Sequence, residues 1–82
     1  MIKVLFFAQV REIIGVDHIE LEYQHSMTTN SLRTFLASQG DKWEQALGSD
    51  NLLVAVNQTL SQWQVELEDG DEVAFFPPVT GG

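Results

Sequence analysis

Residues 58–67 read Gln58-Thr59-Leu60-Ser61-Gln62-Trp63-Gln64-Val65-Glu66-Leu67. This stretch holds no full helix and room for one short strand. Its meaning comes from what flanks it. Glu68-Asp69-Gly70-Asp71 is turn chemistry, with Gly70 supplying an unusual backbone dihedral. Glu72 to Phe76 is then a last strand, ended by Pro77-Pro78 because neither proline can donate to a ladder. Upstream, Leu52 to Val56 is a continuous apolar run between Ser49-Asp50-Asn51 and Asn57-Gln58, the pattern of a buried strand.

Toward the N-terminus, Ile2 to Ala8 is rich in β-branched and aromatic residues and predicts a covered strand. Gln9 to Ile14 predicts a short helix stopped by Gly15. Asp17 to Tyr23 alternates apolar Ile19, Leu21 and Tyr23 with polar His18, Glu20 and Glu22, so it predicts a half-buried second strand. After Thr28-Thr29-Asn30 the period changes to helical, with Leu32, Phe35 and Leu36 on one face and Gly40 behind them. Asp41-Lys42-Trp43-Glu44 reads as a capping-box variant opening a further turn of helix that Gly48 ends.

The predicted order is strand, strand, helix, strand, weak strand, strand. With a second full helix before the last strand it would suit a ferredoxin-like fold, and residues 58–67 lack that helix. The expectation is therefore an α+β fold of the β-grasp (ubiquitin-like) type, a mixed sheet packed on one main helix. Its first and last strands then lie side by side at the centre. Residues 1–82 form a single domain, of which 77–82 are expected to be an extended, flexible tail.

Composition and charge exclude several functions. The chain is 44% hydrophobic and 20% charged, and it has no cysteine, which rules out disulfides, thiolate metal sites and a catalytic thiol. Four lysines and arginines against twelve acidic residues give −8. That field repels nucleic acid and acidic membranes and favours a basic protein partner. The opening apolar run is cut by Arg11 and Glu12, too early for a membrane span, and no leader pattern precedes it. The expected location is the cytoplasm.

The tail, Pro77-Pro78-Val79-Thr80-Gly81-Gly82, follows a buried strand directly. Prolines favour an extended exit and the glycines remove every side chain, so six residues with a reach of roughly 20 Å can enter a narrow channel. Chain ends are often frayed and meaningless, and two terminal glycines arise by chance in about one chain in 200. The strand order and the proline exit together make chance the poorer account.

The sequence resembles the small subunits of molybdopterin synthase, sulfur carriers among the ubiquitin-like β-grasp proteins. The residues that carry this are Ile2-Lys3-Val4-Leu5-Phe6-Phe7-Ala8 with Arg11-Glu12, then Val56-Asn57-Gln58, and above all the run from Asp69 to Gly82. The resemblance implies a carrier rather than an enzyme acting alone. It implies that the Gly82 carboxylate is adenylated by a ubiquitin-activating-type adenylyltransferase that consumes ATP. Sulfur then displaces AMP to leave a thiocarboxylate. With Gly81 threading the channel, the tail delivers sulfur in the large subunit to cyclic pyranopterin monophosphate, for molybdenum cofactor biosynthesis. It also implies a heterotetramer of two small and two large subunits, with no bound cofactor or metal. Carriers for thiamine or tRNA thiolation share the Gly-Gly end, as do ubiquitin-like modifiers. The Phe75-Phe76-Pro77-Pro78-Val79 run favours the molybdopterin assignment.

Strand parity gives an independent route to the partner interface. Successive side chains alternate faces. Lys3 in water places Leu5 and Phe7 with it and Ile2, Val4 and Phe6 inside. Glu72 in water places Ala74 and Phe76 with it and Val73 and Phe75 inside. Leu60 shares the parity of Gln58 and Gln62. Phe7, Leu60 and Phe76 are thus expected on one exposed apolar patch, continuing into Pro77, Pro78, Val79 and Thr80. His18 and His25 have no companion at metal-ligand spacing and read as surface residues. Asp69, Asp71 and Glu72 read as turn chemistry. Whether Lys3 and Arg11 pair within the chain or across an interface stays open at this level.

Overall fold

The computed structural model describes residues 1–78. The elements are β1 (Ile2–Phe6), α1 (Ala8–Ile14), β2 (His18–Leu21), α2 (Thr29–Ala37), α3 (Asp41–Leu47), β3 (Leu53–Val56), β4 (Thr59–Ser61) and β5 (Glu72–Phe76). They build one sheet in the order β2-β1-β5-β3-β4. β1 and β5 run parallel, and the other neighbours are antiparallel. This is the β-grasp arrangement, with α2 the longest helix and α1 and α3 shorter by two residues each.

Parity explains which side of the sheet the helices cover. Ile2, Val4 and Phe6 of β1, Val54 of β3, and Val73 and Phe75 of β5 are all buried. They meet Val10 and Ile14 of α1, Leu32 and Leu36 of α2, and Leu47 of α3 in one core. The aromatic centre is tight: Phe75 stacks on Trp63 at 6.0 Å and on Phe6 at 6.4 Å, while Trp43 meets Phe6 edge-on at 5.8 Å.

Local chemistry sets the element ends. Gly15 closes α1 in the left-handed conformation, φ 95°, with its N–H on the Arg11 carbonyl. Thr28 caps α2 through a reciprocal pair in which its hydroxyl accepts from the Ser31 N–H and the Ser31 hydroxyl accepts from the Thr28 N–H. Gly70 turns the chain into β5, also at φ 95°, and donates to the Met1 carbonyl. Arg33 leaves α2 to lie over the Trp63 ring, 4.5 Å from its centroid, and donates to the carbonyls of Leu47 and Ser49. The last carbonyl of α3, that of Leu47, thereby gains a partner.

Two local readings are corrected. Asp41 is not a cap but the first residue of α3: Gly40 is the N-cap, and its carbonyl takes the Glu44 N–H at 3.0 Å. Asp41 and Glu44 instead place negative charge in the first turn, where the helix dipole favours it. The second strand ends at Leu21 rather than Tyr23, because the chain leaves β1 there to reach the turn at Gln24–Met27.

Candidate docking face and the root of the tail

The face of the sheet away from the helices is built in rows. Register places His18, Leu5, Ala74, Ala55 and Leu60 in one row across all five strands. One step toward the tail, Leu53 lies opposite Phe76. Phe7 follows β1 in an extended conformation and donates its N–H to the Phe75 carbonyl at 3.2 Å. It therefore continues the same row beside Phe76. One step the other way, Lys3 lies between Glu20 and Glu72. The face thus grades from charged at one end to apolar at the end where β5 passes into Pro77 and Pro78.

The three residues expected from parity share this face. Phe7 is 45% exposed and Leu60 66%. Phe76 is half-buried, because it has neighbours on both sides in the fifth strand, which is flanked by β1 and β3. Leu60 stands two strands from β5, about 10 Å across at the usual strand spacing. Pro77 is half-buried and Pro78 exposed, and Val79, Thr80, Gly81 and Gly82 lie outside the described residues.

The outer face holds two residues that strand parity does not find. Leu53 and Ala55 belong to it, yet Leu52 to Val56 is apolar without alternation, so parity had no polar residue to anchor on. The segment Val56-Asn57-Gln58 also acquires a physical role. Asn57 and Gln58 both have positive φ, 51° and 69°, and form the two-residue turn between β3 and β4. The Asn57 side chain donates to Asp71 Oδ1 and accepts from the Glu72 N–H, each at 3.0 Å, and its own N–H donates to the Glu72 carbonyl at 2.7 Å. The turn thereby pins the start of β5, the strand that aims the tail.

The charged groups around the face are solvated. The Met1 ammonium pairs with Asp69. His18 and Asp17 form a 2.6 Å hydrogen bond at the β2 edge, and this contact holds the Asp17 carboxyl below the usual carboxylate range. Among the described residues Lys3 and Arg11 have no carboxylate in ion-pair contact. His25 is exposed, as expected from its position in the sequence.

The sequence profile of the ThiS family matches residues 4–82. The chain belongs to the ThiS family. Within that family's range it is 56% identical to a molybdopterin synthase sulfur carrier subunit of Haemophilus influenzae and 57% identical to one of Escherichia coli, over all of both chains in each case. Among solved structures it is similar to a chain in the complex of subunits 1 and 2 of the molybdopterin-converting factor from Helicobacter pylori. That match has 26% identity and a TM-score of 0.70, covering 99% of this chain and 97% of the other. The chain combines this β-grasp sheet with Gly81-Gly82 after the last strand and its two prolines in the sequence.

Proposed function

We propose that this chain is the sulfur carrier subunit of a molybdopterin synthase, acting in molybdenum cofactor biosynthesis with a large subunit as partner. The observation that carries this is the end-to-end match to two such carriers at 56% and 57% identity. The apolar sheet face running out to Pro77 and Pro78 supports it, since a carrier must be gripped close to the group it presents.

In this reading the Gly82 carboxylate is the cargo site. A carboxylate is a poor electrophile until it becomes a mixed anhydride. On an adenylyltransferase it attacks the α-phosphate of ATP, and pyrophosphate leaves. A reduced sulfur donor then attacks the acyl carbon and expels AMP, giving the thiocarboxylate. That sulfur is a compact nucleophile needing no cysteine, and the chain has none. Val79, Thr80 and the side-chain-free Gly81 thread the tail into the large subunit, where the sulfur reaches cyclic pyranopterin monophosphate. Phe7, Leu60 and Phe76 dock on the partner. The carrier catalyses nothing by itself, and two copies with two large subunits make the working cytoplasmic assembly.

The test is intact mass spectrometry after incubation with ATP, the adenylyltransferase and a sulfur donor. A rise equal to the difference between sulfur and oxygen, followed by its loss on adding the large subunit and precursor, is the expected result. A larger adduct on lysines would identify a protein modifier instead. A thiocarboxylate that the large subunit cannot discharge would identify a carrier for another pathway.

A further inference from the structure

We propose that the free edge of β2, together with the groove between that strand and α2, is a second docking site for an extended segment of a partner protein. The segment it fits alternates apolar and basic residues.

Among the described residues β2 is an edge strand, paired only with β1. The Phe6 N–H donates to the Asp17 carbonyl, so by antiparallel alternation Asp17, Ile19 and Leu21 turn their backbone groups toward β1. The amide and carbonyl groups of His18 and Glu20 then face outward, free to pair with an added strand. The strand carries no proline or lysine to block such pairing.

Beside this edge lies a groove of about 360 Å³, whose apolar lining comes from Leu21, Met27 and Phe35. Phe35 is 52% exposed, while Leu32 and Leu36 on the same helix fill the core. The core therefore does not use Phe35. The groove is preformed: the Met27 carbonyl accepts from Leu67 N–H at 2.8 Å, and the Thr29 N–H donates to the Val65 carbonyl at 2.9 Å. An added strand sends alternate side chains to the two faces of the sheet. Those on the helix side enter the groove, and those on the other side pass Glu20.

Charge selects the occupant. Glu22 lines the groove, no lysine or arginine does, and Glu66 is bridged to Thr28 next to it. With a net charge of −8 over the chain, the field favours a cationic segment. The groove lies on the helix side of the sheet and the row from Leu5 to Leu60 on the other, so the groove stays open when that outer face is covered.

The probe is the peptide acetyl-Lys-Val-Lys-Val-Lys-Val-amide, titrated into the ¹⁵N-labelled full chain. Saturable shifts are expected at Glu20, Leu21, Glu22, Met27 and Phe35. Phe35→Ser, at an exposed position that spares the core, is expected to weaken binding by about tenfold or more. Replacing lysine by glutamate in the peptide should abolish the shifts, and a central proline should weaken them. Shifts centred on Leu5, Ala74 and Leu60, affinity indifferent to Phe35→Ser, or no saturation at millimolar peptide would each overturn the proposal. Concentration-dependent shifts at the groove without peptide would also do so, by showing that a second copy of the chain fills it.

Discussion

Phe75 and Phe76 are neighbours on β5 that serve opposite faces of the sheet. Phe75 is 0% exposed, held between Phe6 and Trp63. Phe76 turns the other way, opposite Leu53 and beside the continuation of Phe7. Only the pleat separates a core residue from one on the outer face of the sheet here. The same step in register carries the chain from the packed interior to the root of the tail.

Phe75→Ala is expected to cost about 3–5 kcal/mol of folding stability, the range for a buried phenylalanine whose cavity cannot collapse. Phe76→Ala should cost much less in stability and weaken association with the large subunit by about 2 kcal/mol or more. Denaturant melts and calorimetric titration of both variants separate the two effects. Reversed outcomes would mean that the docking face is the helix side of the sheet.

Asn57 is the next residue to test, because it holds a left-handed turn and two side-chain hydrogen bonds at once. Asn57→Gly keeps the backbone freedom and loses the bonds to Asp71 and Glu72, for an expected loss of about 1–2 kcal/mol. Asn57→Ala adds the penalty of a positive φ to that loss and should be the less stable of the two. Equal urea midpoints for the two variants would show that the side-chain bonds alone matter.

The Asp17–His18 contact makes a prediction in acid. The hydrogen bond from His18 holds the folded-state value of Asp17 below its reference of 3.8. A depressed folded value contributes stability above the unfolded value, and that contribution disappears as pH falls through the folded one. Both groups are exposed, so the effect on stability is small. The carboxyl carbon shift of Asp17 is the better readout. It should titrate below 3.8 in the native chain and move up toward that value in His18→Gln.

Much of this was legible before the structure because particular residues punctuate the chain. Pro77 fixed the end of β5 to the residue, and Gly15 fixed the end of α1. Lys3 and Glu72 give parity a polar anchor on two strands, so it assigns Ile2, Val4, Phe6, Val73 and Phe75 to the core, where they are buried. β3 offers no such anchor, so parity alone does not place Leu53 and Ala55 on the outer face. The Asn57-Gln58 turn lacks the glycine that usually marks a two-residue hairpin, and its left-handed pair emerges only from the strand pairing on either side. The groove beside Phe35 is hidden for another reason: helical spacing puts Phe35 on one face with Leu32 and Leu36, and only packing distinguishes them.

The tail gives the last prediction. Removing Gly82, or extending the chain beyond it, should abolish sulfur transfer, because either change displaces the carboxylate that must be activated. Gly81→Ile is the gentler variant: a β-branched side chain widens the tail and restricts its backbone inside any channel that closes around it. The described core runs from Ile2 to Phe75, and changes at a chain end cost little stability as a rule, so thermal melts should stay close to those of the parent chain. Large-subunit binding should persist through Phe7, Leu60 and Phe76, while adenylation or transfer falls sharply. Single-turnover assays of the two steps distinguish the cases. Loss at adenylation alone places the narrow channel in the activating partner, and loss at transfer alone places it in the large subunit. Unchanged rates in both would mean that no partner closes around Gly81.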